Sequence, residues 1–283
     1  MTGHFVVLGA TGAQGGAVVR ALLESGATVR GITRRTDSAS ARRLSAAGVE
    51  VVAADLSDET SVAQAFTGVD GAYALTTPFE DGPEAEVAQG RTILDAALAA
   101  QVPHLVFSSV ADADQHTGIP HFDSKAEVEE SLARSGLSYT IVGPSYFYDN
   151  MLGGLDDIKA GVFALPLPAD TTLQQLSRRD LGRFVAAVLT DPDPVRGMRI
   201  DIASDEPTPQ QMTAAIAAAL GKPVRLATSD PDDIGSDDMR AMFGFLAAGG
   251  YTVDIPALHA QYPQVGWQSF TDWIDTDLRP LLS

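Results

Sequence analysis

Along the first 145 residues, short apolar runs rich in β-branched side chains alternate with longer stretches whose apolar positions recur at helical spacing. The short runs predict strands at 4–8, 28–33, 50–54, 71–75, 104–108 and 138–142. Ala-rich helices are predicted between them at 12–25, 38–47, 59–66, 82–100 and 123–135. FVVL and HLVF are unbroken apolar runs, as strands buried on both faces require. Strands alternating with helices form βαβ units, so the pattern predicts an α/β fold with a doubly wound parallel sheet.

Beyond Pro144 the pattern loosens. Helices are predicted at 180–189, 209–220 and 237–247, separated by turns such as TDPDP and TSDPDD, with a short strand at 199–202. At 283 residues the chain exceeds the usual single core. The expected division is residues 1–145 as one domain and 146–283 as a smaller α+β lobe over the carboxyl ends of the strands, with strands returning to the main sheet. No internal repeat or low-complexity segment is visible.

Composition narrows the chemistry. The chain carries 19 basic and 37 acidic side chains, a net charge of −18, and no Cys. Disulfides, a Cys nucleophile and thiolate metal ligation are excluded, and His104 and His259 stand isolated, with nothing resembling a metal cluster. An acidic protein repels phosphate backbones, so no direct nucleic-acid partner is expected. No apolar run reaches membrane-spanning length and MTGHFVVLG lacks a leader pattern, so the expectation is a cytoplasmic protein with no membrane partner. Charge is uneven, however. Six arginines face only Glu24 and Asp37 in the first 49 residues, a local +4 against −22 elsewhere.

That segment holds the strongest motif. In VVLGATGAQGG, Gly9, Gly12 and Gly15 form GxxGxxG between the first strand and first helix. Glycines there permit a tight turn and close approach to a pyrophosphate, and the helix N-terminus offers free amides. The second strand ends in ITRRTDS, placing Arg34 and Arg35 where an acid would select NAD and a base accommodates the extra phosphate of NADP. Arg34 is preferred for its forked guanidinium; a solvated pair starting the next helix is the plainer reading. Asp55 and Leu56 follow the third strand, where a carboxylate either accepts from an adenine amine or caps a helix. Thr76, Thr77 and Pro78 follow the fourth strand, and Ser108 and Ser109 the fifth, so together they outline one crevice. In HFDSKAEVEESL, His121 and Lys125 share a helix face at i and i+4, and Lys125 is one of three lysines. Ser177 and Asp180 have capping-box-like spacing, and Trp267 and Trp273 read as core anchors of the C-terminal lobe.

These motifs, with PSYFYDNML at 144–152, SRRDLG at 177–182 and the closing FTDWI, resemble the NmrA-like branch of the atypical short-chain dehydrogenase/reductases over essentially the whole chain. The likeness is strongest to NADP(H)-sensing NmrA-like proteins. It implies a Rossmann domain binding NADP(H), a small C-terminal lobe and a cleft between them. By that resemblance Gly9, Thr11, Gly12, Gln14 and Gly15 hold the pyrophosphate, Arg34 the 2′-phosphate and Lys125 the nicotinamide ribose, with Pro144 and Tyr146 lining the nicotinamide pocket.

One departure bears on activity. Short-chain dehydrogenases pair Tyr and Lys as YxxxK, the Tyr protonating the alkoxide. Four residues before Lys125 stands His121, leaving His121, Tyr146 or Tyr148 as substitute acids. Two functions follow as expectations. One is an NADPH-dependent reductase of a small carbonyl, quinone or enone; the other is a non-catalytic NADP(H) sensor acting through a regulatory protein partner. Either fits a monomer or homodimer.

Overall fold

A computed structural model of the chain describes residues 3–228 and 234–282. The TSDPDD turn lies largely at 229–233, outside the described residues. Backbone contacts divide the chain into two compact units: Met1–His116, Pro120–Gly143 and Leu181–Asp201 form unit 1, and Thr117–Ile119, Pro144–Asp180 and Ile202–Ser283 form unit 2.

Strands and helices alternate through the first unit: β1 (His4–Val7), α1 (Ala13–Glu24), β2 (Thr28–Thr33), α2 (Ala39–Ala46), β3 (Glu50–Ala53), α3 (Glu59–Phe66), β4 (Gly71–Leu75), α4 (Pro83–Ala99), β5 (Leu105–Ser108), α5 (Pro120–Arg134) and β6 (Tyr139–Pro144). Later in the chain come β7 (Tyr146–Phe147), α6 (Leu155–Ala160), β8 (Val162–Ala164), β9 (Gln175–Leu176), α7 (Arg178–Thr190), β10 (Arg199–Ile202), α8 (Pro209–Leu220), β11 (Arg225–Ala227), α9 (Asp237–Ala247), α10 (Ile255–Gln261), α11 (Phe270–Trp273) and α12 (Arg279–Leu282).

Seven strands form the main sheet in the order β10-β6-β5-β4-β1-β2-β3. The pairings from β3 to β6 are parallel. At the edge, Ile141 N donates to Met198 O and Ser145 N to Ile202 O, advancing in the same direction, so β10 is parallel to β6. The order reverses at β1, between β4 and β2, the switch point at which open α/β sheets bind ligands. Val6, Leu8, Ile32, Phe66, Ile93, Phe107 and Leu132 are among the buried side chains that join sheet and helices into one core. The predicted α/β doubly wound fold is therefore observed. Helix α5 starts a turn earlier than its apolar periodicity indicates, because Pro120 suits the first helical position, where no amide bond is lost. His121 thereby falls in the first turn.

Unit 2 has its own small core, in which Tyr148 packs on Phe270 and Trp273 at ring separations of 5.3 and 5.6 Å. Two parallel strand pairs, β7 with β9 and β8 with β11, lie within it. Trp273 is buried as expected, whereas Trp267 is half-buried, stacked on His259 and donating to Tyr262 O. Ser177 caps α7 by accepting from Arg179 N. The Asp180 carboxylate does not close a capping box; it accepts from Ser204 Oγ, Gln268 N and the Arg179 guanidinium, tying three segments of unit 2 together. Burial raises its pKa against those bonds. Among the described residues no helix is long and apolar enough to cross a membrane.

Candidate functional site

The carboxyl ends of β1 to β4 in unit 1 surround a cavity of about 810 Å³, within the range of cofactor sites. Its lining begins with Gly9, Thr11, Gly12, Gln14 and Gly15. Gly9 has φ +61°, a left-handed conformation that favours glycine. A Cβ on Gly15 would lie 2.3 Å from Gly9 O, so only glycine lets α1 approach the strand end this closely. Gly12 caps α1 with no side-chain bond, and the first turn holds no acid. The first amides of the helix and its positive dipole end are thus kept for an anion. Gln14 is fixed by its amide oxygen, which accepts from Tyr73 OH at 3.2 Å and Ser108 Oγ at 3.0 Å.

Arg34 and Arg35 stand beyond the end of β2 on the same lining. Arg34 grips Glu80 with both terminal guanidinium nitrogens, Nη1 and Nη2, at 2.9 and 3.1 Å, and this hydrogen bonding raises its pKa. The pair is exposed, the side chains 67% and 53% accessible. Asp55 and Leu56 line the cavity beyond β3. Asp55 accepts from the Ser57 amide and hydroxyl, which lower its pKa; the cap of α3 is Asp58 instead. Thr76 and Thr77 complete the lining beyond β4, while Pro78 is buried outside it.

Next to Thr76 lies a buried ionic cluster that the sequence reading does not reach. Lys125 Nζ donates to Glu86 Oε1 at 2.7 Å and to Thr76 O at 3.2 Å. Glu86 has no exposed surface and also accepts from Thr76 Oγ1 and Ser124 Oγ. An ammonium has three donors, so these two bonds leave one. The signal for Glu86 is its place on α4, four and seven residues before the buried Gly90 and Ile93: a carboxylate on an apolar stripe needs a cation. Glu80 carries no such mark, being an ordinary loop acid in sequence.

His121 is buried, its ring 5.8 Å from Phe79 and 4.8 Å from Phe122. Ser109 donates to Glu129, which Arg199 also binds at 2.9 Å, together with Asp201, away from the cavity lining. Pro144 and Tyr146 belong to unit 2, where half-buried Tyr146 packs against Phe243. Burial raises the Tyr146 pKa, opposed by its hydrogen bond with Asn150. Tyr148 is no substitute acid: it is wholly buried, its hydroxyl donates to Gln268 O, and burial pushes its pKa far up. Among the described residues no group of three His, Asp or Glu side chains is placed to hold a metal.

The sequence model of the NmrA-like family matches residues 1–242. The chain belongs to the NmrA-like family. The NmrA-like family domain-containing oxidoreductase notA of Aspergillus sp. (strain MF297-2) is 35% identical over 247 residues, 76% of this chain and 73% of its own. An NAD(P)H azoreductase of Xenophilus azovorans is 30% identical, covering 78% of this chain and 75% of its own. Among solved structures, the NADPH-dependent quinone oxidoreductase QOR2 of Escherichia coli, complexed with NADPH, matches this NmrA-like chain with a TM-score of 0.81 at 25% identity, over 96% of this chain and 98% of its own. NmrA, a negative transcriptional regulator in complex with NADP, matches at 0.81 and 21% identity over 99% of this chain and 96% of its own, a likeness of fold.

Proposed function

We propose that this NmrA-like protein binds NADP(H) in the cavity of unit 1 and is an NADPH-dependent reductase of a small quinone, enone or carbonyl compound. The observation that carries the reading is the single cavity that joins the glycine turn and unbonded α1 terminus to the Arg34 guanidinium. Those donors match a pyrophosphate and a 2′-phosphate, and the notA oxidoreductase and the azoreductase, at 35% and 30% identity, are both redox enzymes by name. Bound NADPH supplies a hydride. Gly9, Thr11, Gly12, Gln14 and Gly15 hold the pyrophosphate, and Arg34 with Arg35 holds the ribose phosphate. Asp55 and Leu56 flank the adenine, with Thr76 and Thr77 shaping the crevice toward Ser108 and Lys125; Pro78, buried outside the lining, supports that turn from behind. The remaining Lys125 donor binds the nicotinamide ribose, its ammonium held in place by Glu86 and the Thr76 carbonyl.

Protonation of the product falls to His121 or Tyr146, since Tyr148 is sequestered. Without a YxxxK tyrosine, acceptors whose reduced anions are already stabilised, quinones and enones, are favoured over simple ketones. The second reading is a nucleotide sensor of NmrA type. It is favoured by the same missing tyrosine and by the engagement of Lys125 with Glu86.

NADPH oxidation by the purified protein over a panel of quinones, enones and aldehydes, run beside binding of NADPH and NADP+, separates the two. Turnover that Lys125→Ala abolishes is expected. Tight, redox-selective binding without turnover would establish the sensor in its place.

A further inference from the structure

Unit 2 encloses a cavity of about 160 Å³ of its own. Its floor is apolar, with Phe163, Leu165 and Met212 all buried, and Tyr146 and Phe243 stand along it with ring centroids 6.3 Å apart. One side chain does not fit an apolar floor. Gln175 is 1% exposed, yet its Oε1 has no hydrogen-bond partner among the described residues. The main chain at this position is pinned, since Gln175 N donates to Asp205 O, and Gln175 O accepts from Ser204 N and Asp205 N. Strand pairing sets Gln175 opposite Tyr146, so the two side chains leave the β7-β9 ladder on the same face, and both line the cavity. A buried amide oxygen left without a donor is a cost that native interiors avoid, and a ligand is one of the ways it is met.

We propose that this cavity is a binding site for a neutral single-ring hydroxyaromatic, a phenol, whose O–H donates to Gln175 Oε1. Size sets the ring count, because apolar cavities near 150 Å³ accept one benzene-sized ring. Charge sets the rest. Among the described residues the lining contains no basic side chain, and Asp157 stands exposed on it, so carboxylates and phosphates are repelled. The hydroxyl is specified by Gln175, since a plain hydrocarbon of the same size leaves the amide unsatisfied. This site stands within unit 2 and does not rest on nucleotide binding by unit 1.

The test titrates the full-length protein with phenol, toluene and benzoate while following the methyl signals of Met151 and Met212 on the cavity wall by NMR. Phenol is expected to shift both methyl groups and to bind roughly tenfold more tightly than toluene, with benzoate binding least. Gln175→Met, close in volume, is expected to bring phenol down to the affinity of toluene while toluene binding is kept. The wild-type order of probes decides the matter even where that variant fails to fold. Unmoved methyl signals with every probe, toluene binding as well as phenol in the wild type, or a phenol preference that survives in Gln175→Met would each overturn the proposal. Equal binding would mean that water alone meets the amide.

Discussion

Two ion pairs flank the switch point of the sheet, Lys125–Glu86 beside the end of β4 and Arg34–Glu80 beyond the end of β2. They are close in length, 2.7 and 2.9 Å, and opposite in surroundings. Glu86 is wholly buried and three groups donate to it, whereas Arg34 and Glu80 are both more than half accessible. A buried pair cannot exchange partners without leaving a charge in a low-dielectric interior. An exposed pair gives up little when another anion replaces its carboxylate. Lys125 is thus a fixed point, and Arg34 an exchangeable grip.

The largest effect should come from breaking the buried pair. Glu86→Ala strands the Lys125 ammonium and the Thr76 and Ser124 hydroxyls, and is expected to destabilise the protein by about 3–5 kcal/mol. Thermal unfolding should then occur on the order of 10 °C lower. Replacing both charges, as Lys125→Met with Glu86→Gln, should return most of the stability while leaving turnover lost. A double variant as unstable as Glu86→Ala would contradict this picture of the cluster.

At the exposed pair the order of effects inverts. Arg34→Asp is expected to weaken NADPH binding on the order of a hundredfold, since charge-assisted bonds to the phosphate become a repulsion. NADH binding should move by no more than a few fold, and thermal stability by about a degree, as for other surface pairs. Isothermal titration with the two nucleotides provides the measurement, and equal weakening of both would refute the assignment of Arg34 to the extra phosphate.

The same contrast explains what could be read from the chain. FVVL, HLVF and the spacing of the glycines announce the parallel sheet and its switch point because buried strands and phosphate turns restrict residue types over several consecutive positions. Arg34, Asp55 and Thr76 were legible because strand ends are where the crevice lies. Glu86 was not, although its stripe on α4 marks it, because its partner Lys125 lies 39 residues on and only the packing of α4 against α5 joins them. Helix α6 and strands β8 and β11 in unit 2 span only 6, 3 and 3 residues. Such lengths are too short for a periodicity to emerge, and Tyr148, a candidate acid in sequence, is instead core, packed on Phe270 and Trp273 from more than 120 residues away.

A third cluster sharpens the comparison through pH. Arg199 binds Glu129, Asp201 and, at 3.6 Å, Asp114, and Asp201 also accepts from Asp112 N. Burial outweighs the arginine and raises the Asp201 pKa to about 6. The folded state therefore holds this proton more tightly than the unfolded chain, and the contribution, present below about pH 4, is lost as pH rises through about 6. His104 has the opposite sign. Burial, with Arg196 near, lowers its pKa to about 4, so its contribution is present above about 6.5 and is lost on acidification. In the window between, the two slopes oppose each other. In Asp201→Asn the Asp201 slope is gone while that of His104 is kept, and the melting temperature should fall relative to wild type by a few degrees between pH 7 and pH 5. A gap independent of pH would remove Asp201 from the account.

The smallest effect concerns Glu80. Its carboxylate occupies the guanidinium fork of Arg34, so under the proposed assignment of that fork to the 2′-phosphate, binding of NADPH displaces it. Glu80→Gln keeps the side chain's size and removes its charge. NADPH affinity should rise a few fold, NADH affinity should stay level, and unfolding should be unaffected, because an exposed pair contributes at most about 1 kcal/mol. The gain should also shrink as salt is raised, since the competing charge is screened over about 8 Å at physiological ionic strength. If Glu80→Gln binds NADPH no better than wild type at low salt, Glu80 does not compete for the fork. Arg34 would then meet its phosphate in a different rotamer, and the contrast between a fixed and an exchangeable pair would hold only for the buried one.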